Sequence, residues 1–297
     1  MWFKNLRFFR LHSDWSVGGM DEAVAKHRFT PGGSQDPLSL GWTSARDGAD
    51  LVHRVDGQIL LCAKAEKKLL PSTVINQIAR ERAKDKAEEQ GYKVGRKQLK
   101  ELKEDLVLEL LPRAFSVERQ IYVWIDPENR WIGVDAAAAA TADEVMGLLA
   151  KTFDVFPATP VYTEISPAAA MTSWLADFNA PYPFSIDQDT ELRASGESRS
   201  VVRYARHNLD SDEVRKHISD GKQCTRLALT WADKVSFLLT DGLEVKRIAP
   251  TDLLTDQQEQ SAQDEAQSFD ADFLLMSTEL NALIHELLDA LGGEKKH

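Results

Sequence analysis

Two pairs of short apolar runs, one toward each end of the chain, most constrain how this sequence can fold. Residues 51–63 and residues 235–248 each contain two β-rich runs that are separated by an Asp-Gly pair. Asp-Gly at this position is a strong signal for a two-residue hairpin turn, because both turn positions favour residues that tolerate positive φ. Two such hairpins predict an α+β fold with antiparallel sheets rather than a doubly wound parallel sheet.

Between the hairpins, strand-like and helical segments alternate. Pro71 begins a long polar helix, and a second helix runs from about residue 96 to 111, where Pro112 ends it. Each has a narrow apolar stripe and a wide charged face, which predicts a helical hairpin that projects from a β-rich body. The stretch 178–200, with two prolines and Gly196, is expected to be a loop-rich boundary. Further strands are expected at residues 3–11, 120–125, 131–135 and 201–205, and further helices at 21–27, 142–153, 166–176, 211–220 and 272–291.

The resulting domain organisation has five regions. They are a β-rich region at 1–70, the helical hairpin at 71–116, a central α+β region at 117–200, a strand and helix at 201–221, and a C-terminal α+β region at 222–297.

Composition limits the compartment in which this protein is expected. The sequence has no run of eighteen or more apolar residues and no charged segment followed by an apolar core at its start, so we expect neither membrane insertion nor export. Cys62 and Cys224 each lie in an apolar, strand-like run, which is typical of reduced core thiols. These features predict a cytoplasmic protein.

Common catalytic motifs are absent from the sequence: it has no phosphate-binding P-loop, no GxGxxG after a strand, no GxSxG and no zinc spacing. We therefore expect no catalytic residues, no metal and no cofactor. One enzymatic alternative is a metal-dependent nuclease that uses Asp241, Glu244 and Lys246, although these residues also fit a plain hairpin turn and a solvated strand. Asp270 and Asp272 fit either a metal site or the N-terminus of a helix, where carboxylates oppose the macrodipole.

The charge distribution is uneven. The net charge of −11 disfavours nucleic acid at long range. The helical hairpin and its approach nevertheless carry twice as many cations as carboxylates up to residue 103, and the chain after residue 251 is acidic. The hairpin is therefore a candidate DNA-binding surface, unless its charges merely solvate a helix or dock an acidic protein partner. The cations are Lys64, Lys67, Lys68, Arg80, Arg82, Lys84, Lys86, Lys93, Arg96, Lys97, Lys100 and Lys103.

A phenylalanine follows the proline that ends the second helix. In the segment 111–115, Phe115 stands two residues after Arg113. Two interpretations stay open: an exposed aromatic anchor at the tip of the hairpin, or a core side chain beneath a turn.

Several segments together resemble the RdgC family of bacterial recombination-associated proteins, in the family's order and across essentially the whole chain. They are residues 1–6 (MWFKNL), 29–36 (FTPGGSQD), 70–72 (LPS), 111–115 (LPRAF), 124–126 (WID), 269–273 (FDADF) and 290–294 (ALGGE).

The resemblance implies a horseshoe-shaped α+β subunit with a projecting helical tip. Two subunits would pair twice and close a ring-shaped homodimer around double-stranded DNA, without sequence preference. It further implies a place in the cytoplasm and nucleoid, and restraint of the recombinase RecA.

The resemblance also implies roles for particular residues. Arg113 and Phe115 correspond to the tip region, where the phenylalanine serves as a gate of the dimer ring. The stretch 201–209 corresponds to a basic, DNA-binding segment before a second tip helix. Arg206 keeps the positive charge there, whereas Ala205 and His207 replace a frequent lysine and a frequent glutamine. We therefore include Arg113, Arg206 and His207 among the candidate DNA-binding residues, and assign Arg113 together with Phe115 to the dimer gate.

Overall fold

The computed structural model describes residues 1–12, 15–153, 158–196, 200–254 and 265–295 of the chain. The strands are β1 (Asn5–Leu11), β2 (Leu38–Thr43), β3 (Val52–Val55), β4 (Gln58–Lys68), β5 (Ser116–Asp126), β6 (Trp131–Val134), β7 (Ala158–Pro160), β8 (Phe184–Ala194), β9 (Val201–Tyr204), β10 (Lys222–Trp231), β11 (Val235–Thr240) and β12 (Val245–Pro250). The helices are α1 (Met20–Lys26), α2 (Ser72–Gln90), α3 (Arg96–Leu110), α4 (Ala139–Thr152), α5 (Pro167–Asp177), α6 (Asp212–Ser219) and α7 (Glu265–Ala290).

The strands form one antiparallel sheet in the order β2-β4-β5-β6-β1-β12-β11-β10-β8-β9, with β3 beside β4 and β7 beside β1. The predicted α+β class with antiparallel strands is confirmed. Both Asp-Gly hairpins are present, since β3 pairs with β4 and β11 pairs with β12. We call β2 to β6 the N-terminal half of the sheet and β8 to β12 the C-terminal half.

β1 joins the two halves. Its residues Arg7 to Arg10 pair with β6, while Asn5 and Leu6 pair with β12 on the other edge. The junction is tightly packed at Gly133 of β6, where a Cβ atom would lie 2.7 Å from Leu6 Cδ1 and 2.9 Å from Trp124 Cε3. Only glycine leaves room for these two side chains at this position.

The halves differ in how they are covered. In the N-terminal half, Leu60 and Leu61 of β4 point to opposite faces, and both are fully buried in two separate cores. In the C-terminal half, the helices of the described residues, α5, α6 and α7, all cover the same face. Leu227, Leu229 and Trp231 of β10 point into that core, and alternate residues point to the other face. We call this other, uncovered side the open face.

The helical hairpin of α2 and α3 has a small core of its own. α2 has one buried residue, Ala79, and α3 has one, Leu106. The two helices are therefore stabilised mainly by packing against each other. α2 has 19 residues and is therefore about 28 Å long. The hairpin continues the paired strands β4 and β5, whose last partners are Lys68 and Ser116. This arrangement agrees with the predicted projecting hairpin.

Two predictions about secondary structure are wrong. Residues 184–194 of the expected loop form the eleven-residue strand β8, because Pro181 and Pro183 precede the strand and its polar middle lies on the open face. Residues 197–199 of that stretch lie outside the described part of the chain. The terminal helix α7 already includes Glu265, so Asp272 is inside the helix and not at its start.

Among the described residues, the structure has no helix that combines the length and the apolar character needed to cross a membrane.

Cys62 in β4 and Cys224 in β10 are buried and unpaired, as the sequence predicts for core thiols. Burial raises the pKa of each thiol to about 12. Because the thiolate is the reactive form, we predict that neither cysteine reacts with Ellman's reagent at pH 8 in the native protein, and that both react in guanidinium chloride. Rapid labelling of either thiol under native conditions would contradict this placement.

Candidate nucleic-acid interface

Five cationic side chains lie on the open face, across the strands from β9 to β1. Strand pairing brings them together, since Glu191 of β8 lies opposite Arg203 of β9 on one side and Arg226 of β10 on the other. The row continues to Lys246 of β12 and to Arg7 of β1. We call the following residues the cation row: Arg193, Arg203, Arg226, Lys246 and Arg7.

Glu191 organises one end of this row. Its carboxylate accepts hydrogen bonds from Arg203 Nε at 2.7 Å and from Arg193 Nη2 at 3.0 Å. Arg226 Nη1 lies 3.7 Å from the same carboxylate. A register shift between Cys224 and Arg226 marks a β-bulge. The bulge places two consecutive β10 residues beside Glu191, so that Thr225 Oγ1 also donates to it at 3.0 Å.

The Glu191 side chain is only 3% exposed, whereas the three arginines around it are exposed. Burial raises the pKa of this carboxyl, but the hydrogen bonds from Arg203 and Thr225 and the charge of Arg226 outweigh burial, and the net pKa is lowered. Glu191 is therefore an anion beneath the surface that holds cationic groups at the surface.

A second carboxylate organises the other end. Glu244 forms ion pairs with Arg7 and with Lys246, whose Nζ atom lies 2.6 Å from Glu244 Oε2. Burial and the positive charges of Arg7 and Arg226 lower the pKa of Lys246. The two ends of the row are neighbours on one surface, because β11 separates them: its Thr240 pairs with Arg226 and its Leu238 pairs with Lys246.

The row crosses six strands, from β9 to β1, which at about 4.8 Å per strand gives a length of about 24 Å. Three carboxylates flank it, at Asp187, Asp189 and Asp241, and Asp189 is paired with Arg247 at 3.1 Å. Guanidinium groups bind phosphate oxygens in a bidentate geometry, so a surface of exposed arginines is suited to a phosphate polymer.

The predicted cations of α2 do not form one face. Residues two apart are about 200° apart around a helix, which places Arg80 and Lys84 on one flank of α2 and Arg82 and Lys86 on the other. Arg82 is paired with Glu109 at 2.8 Å. Lys100 lies 3.6 Å from Glu104 in α3. The unpaired cations in the described part of the hairpin are Arg80, Lys84, Lys86, Lys93, Arg96, Lys97, Lys103 and Arg113.

The predicted lysines of β4 lie where the hairpin joins the sheet. Lys64 pairs with Glu118 of β5 at 2.8 Å and lies 5.0 Å from the centre of the Phe29 ring. Lys67 is exposed and Lys68 is half-buried.

Phe115 is exposed, but it is not at the tip of the hairpin. Its side chain is 85% exposed, which excludes the interpretation as a core side chain. Its carbonyl oxygen accepts a hydrogen bond from Leu69 N at 2.7 Å, at the root where both helices join the sheet. The helices run antiparallel, so the tip of the hairpin is instead the loop at residues 91–95. Arg113 is exposed beside Phe115, in a 3₁₀ turn at Leu111–Arg113.

An apolar groove lies between α2 and α3, with a volume of about 520 Å³. Ile75, Val107 and Leu108 line its floor, and Lys100 and Lys103 stand at its edge. Its apolar residues make it a possible acceptor for an apolar side chain.

Arg206 and His207 differ in their surroundings. Arg206 is exposed, and its backbone N–H donates to Asp189 Oδ1 at 2.9 Å. His207 is half-buried and stacks on the Tyr204 ring, with 5.0 Å between ring centres. Arg206 is thus available to a ligand, whereas much of the His207 ring is covered.

The alternative metal sites are not assembled as the sequence allowed. Asp270 faces His53, with Nε2 and Oδ1 2.9 Å apart, and Asp272 pairs with the N-terminal amine. Neither carboxylate caps the helix, because α7 already includes Glu265. Glu244 of the nuclease alternative is neutralised by its two cationic partners. The described residues contain no group of three or more His, Cys, Asp or Glu side chains that could hold a metal ion.

Sequence reasoning did not identify the cation row as one surface, although Arg203 lies in the basic stretch 201–209. Each member stands singly in its own strand, and the row exists only through pairing between strands far apart in sequence. The available signal was weak: Glu191 and Arg193 are cross-strand neighbours of a basic stretch that had already been noted at residues 201–209.

Sequence comparisons agree on one family. The family model described as "Putative exonuclease, RdgC" matches residues 1–294. Curated relatives named "Recombination-associated protein RdgC" include that of Bordetella parapertussis, which is 55% identical over 100% of both chains. The relative from Cupriavidus necator is 52% identical over 100% of both chains, and that from a Janthinobacterium species is 50% identical over 99% of both.

We predict that Glu191→Gln lowers the free energy of unfolding by about 2 kcal/mol, because three arginines and a buried threonine lose their common anion. The lowered pKa of Glu191 means that its contribution is fully present above the unfolded-state pKa of about 4.3 and is lost as the pH falls through the folded-state value. The difference between the two proteins should therefore shrink on acidification. Urea unfolding between neutral and acidic pH measures it.

The matched control for this variant is Glu118→Gln, which removes an exposed carboxylate from its pair with Lys64. Its effect should stay below about 1 kcal/mol. Equal effects of the two variants would mean that Glu191 is only a surface charge.

Proposed function

This chain belongs to the RdgC family, and from that premise and the cation row we propose that it binds double-stranded DNA without reading its sequence. It belongs with recombination-associated proteins, and duplex DNA is the substrate that recombination acts on. The contacts that we assign are to phosphates, which fix a protein on DNA but carry no sequence information.

The observation that carries this proposal is the asymmetry of burial at Glu191. A carboxylate that is 3% exposed holds three exposed arginines. Guanidinium groups are therefore the outermost charges around Glu191, in a chain whose net charge is −11. At physiological ionic strength, charges more than about 8 Å away are largely screened, so a local cationic surface can bind DNA despite the acidic remainder. A row of about 24 Å is also longer than the major groove is wide, at about 12 Å.

We further propose that two copies close a ring around the duplex, with cationic residues toward the hole and acidic surfaces outward. The family resemblance carries the ring and the horseshoe shape of each subunit. The exposure of Phe115 supports its role as a gate, because an apolar ring of this exposure is free to enter a partner. The groove lined by Ile75, Val107 and Leu108 on a second copy offers an apolar site for it. Such a ring would act on the nucleoid in the cytoplasm and restrain RecA by occupying the duplex.

The alternative of a nuclease, raised in the sequence by Asp241, Glu244 and Lys246 and also named in the family description, has a direct test. Incubation of plasmid and linear DNA with the pure protein and Mg²⁺ or Mn²⁺ should give no products if the protein only binds. Products that disappear with Glu244→Gln would establish the nuclease instead. Binding of an acidic protein, without binding of random duplex, would instead favour the alternative in which the hairpin docks an acidic protein partner.

We predict that duplex affinity is the same for unrelated sequences and falls steeply with salt. Each phosphate contact contributes about 0.9 to the slope of log affinity against log salt concentration. Replacing Arg203 and Arg226 by alanine should reduce this slope by about 2 and weaken all duplexes equally. Replacing Lys97, Lys100 and Lys103 by glutamate tests the hairpin in the same way. Fluorescence anisotropy at several salt concentrations measures both.

Lys26→Glu is the control for these charge changes, because Lys26 is exposed on α1, which covers the N-terminal half of the sheet. Its effect on the slope should be negligible. A slope near zero in the wild type would refute the proposed phosphate contacts.

We predict that Phe115→Ala remains folded and dimeric but releases closed circular DNA faster than the wild type. Truncation of a central aromatic anchor costs an interface about 2 kcal/mol or more, and the second contact between subunits would still hold the dimer. Sedimentation reports the dimer, and retention on circular against linear plasmid reports the gate. Val17→Ala, which shortens another exposed apolar side chain, is the control. Unchanged retention on circles would show that Phe115 is not a gate.

A further inference from the structure

The loop that joins α2 to α3 presents an aromatic ring to solvent. Tyr92 is 62% exposed, and among the described residues its ring stacks on no other aromatic side chain. This loop is the end of the hairpin farthest from the sheet, about 28 Å along α2 from its root. At this position the Tyr92 ring is accessible to large ligands and is not part of a hydrophobic core.

The loop backbone is fixed on both sides of Tyr92. Gly91 ends α2 with φ 76°, and its N–H donates to Ala87 O at 3.0 Å. Gln90 Nε2 donates to Tyr92 O at 2.9 Å. On the other side, Gly95 N donates to Gln98 Oε1 at 3.1 Å. These bonds hold the backbone in place, so the exposed ring loses less entropy on binding than it would in an unstructured loop.

Three cations lie within five residues of Tyr92 in the sequence. Lys93, Arg96 and Lys97 are exposed, and none forms an ion pair in the described part of the chain, although Glu88 and Glu89 lie nearby in the last turn of α2. Arg96 and Lys97 also occupy the first turn of α3, which has no acidic residue. Cations there oppose the helix macrodipole and cost the helix stability. Their positive charge adds to that of the helix end, which favours an anionic ligand.

We propose that Tyr92 stacks on an unpaired base while Lys93, Arg96 and Lys97 contact the adjacent phosphates. A flat aromatic ring beside cations is the elementary platform for single-stranded nucleic acid, because every base has a face on which it can stack. That face is accessible only where the duplex is gapped or frayed. The inference rests on the proposed DNA binding and adds to it a preference for interrupted duplexes.

Two DNA molecules of the same length test this preference: an intact duplex, and a duplex with a short gap that contains 2-aminopurine. Stacking quenches the fluorescence of 2-aminopurine, so the signal reports contact with an unpaired base directly. The wild-type protein should bind the gapped molecule more tightly and quench the probe. Tyr92→Leu should lose most of the quenching and about tenfold in affinity for the gapped molecule, with intact-duplex affinity unchanged.

Two further variants separate stacking from other effects. Tyr92→Phe keeps the aromatic face and should retain both the quenching and the preference for the gap. Tyr182→Leu removes another exposed tyrosine, 97% exposed and outside the hairpin, and should change neither. Thermal melting of each variant checks that it is folded.

Several outcomes would overturn the inference. Wild-type protein that neither prefers the gap nor quenches the probe has no such platform. If Tyr92→Leu loses affinity equally for the intact and the gapped molecule, the Tyr92 ring contacts the duplex and not an unpaired base. Unchanged DNA binding together with loss of a protein partner would assign it to protein docking. Binding to gapped DNA without binding to intact duplex would instead refute the proposed function and leave this inference standing.

Discussion

The backbone pairing of β1 on both edges is the interaction on which the rest of the molecule depends. Seven residues connect two half-sheets, because β1 pairs with β6 and β7 within one half and with β12 of the other. Asp135 fixes the beginning of the strand by accepting the N–H groups of Lys4 and Asn5. Leu6 and Phe8 then belong to the same core as α7. A single twisted sheet with one continuous core on that side is the result.

The unequal covering of the two halves follows from this connection and decides where a ligand can bind. α1 and α4 fill one side of the N-terminal half, and the corresponding side of the C-terminal half stays open. On an open antiparallel face, alternate residues need not be apolar, so charged side chains can collect there. Burial of Glu191 leaves its three arginine partners as the outermost charged groups at that point. An acidic protein can in this way present a cluster of exposed guanidinium groups without a basic composition.

Local signals in the sequence predicted the local structure well. The Asp-Gly turns identified both hairpins, and Pro71 and Pro112 located the start of α2 and the end of α3 to within a residue or two. β8 was missed because its residues from Asp187 to Glu191 are all polar and lack an apolar alternation, although Thr190 is buried against Cys224 and Glu191 is buried under its ion-pair partners. Phe115 was correctly seen as a candidate for exposure but was assigned to the wrong end of the hairpin. The error arose because sequence position does not show that the chain has returned to the sheet.

The candidate site was much less predictable than the fold. Lysines and arginines of the hairpin attracted notice because they are dense in sequence, although α2 distributes them over two flanks. Arg203, Arg226 and Arg7 come from three distant strands and meet only when the sheet forms. Charge density along a chain is thus a poor guide to charge density on a surface when strands supply the side chains.

The way in which the hairpin is attached has a mechanical consequence. β4 and β5 are paired up to Lys68 and Ser116, and the helices begin within a few residues of those positions. The helices are therefore attached at one end only, to a three-stranded ribbon of β2, β4 and β5, since β2 pairs with β4 up to Lys67. A change of a few degrees in the twist of that ribbon moves the far end by several times the displacement at the attached end. The loop at residues 91–95 can follow ligands of different width at little elastic cost, while the sheet stays rigid.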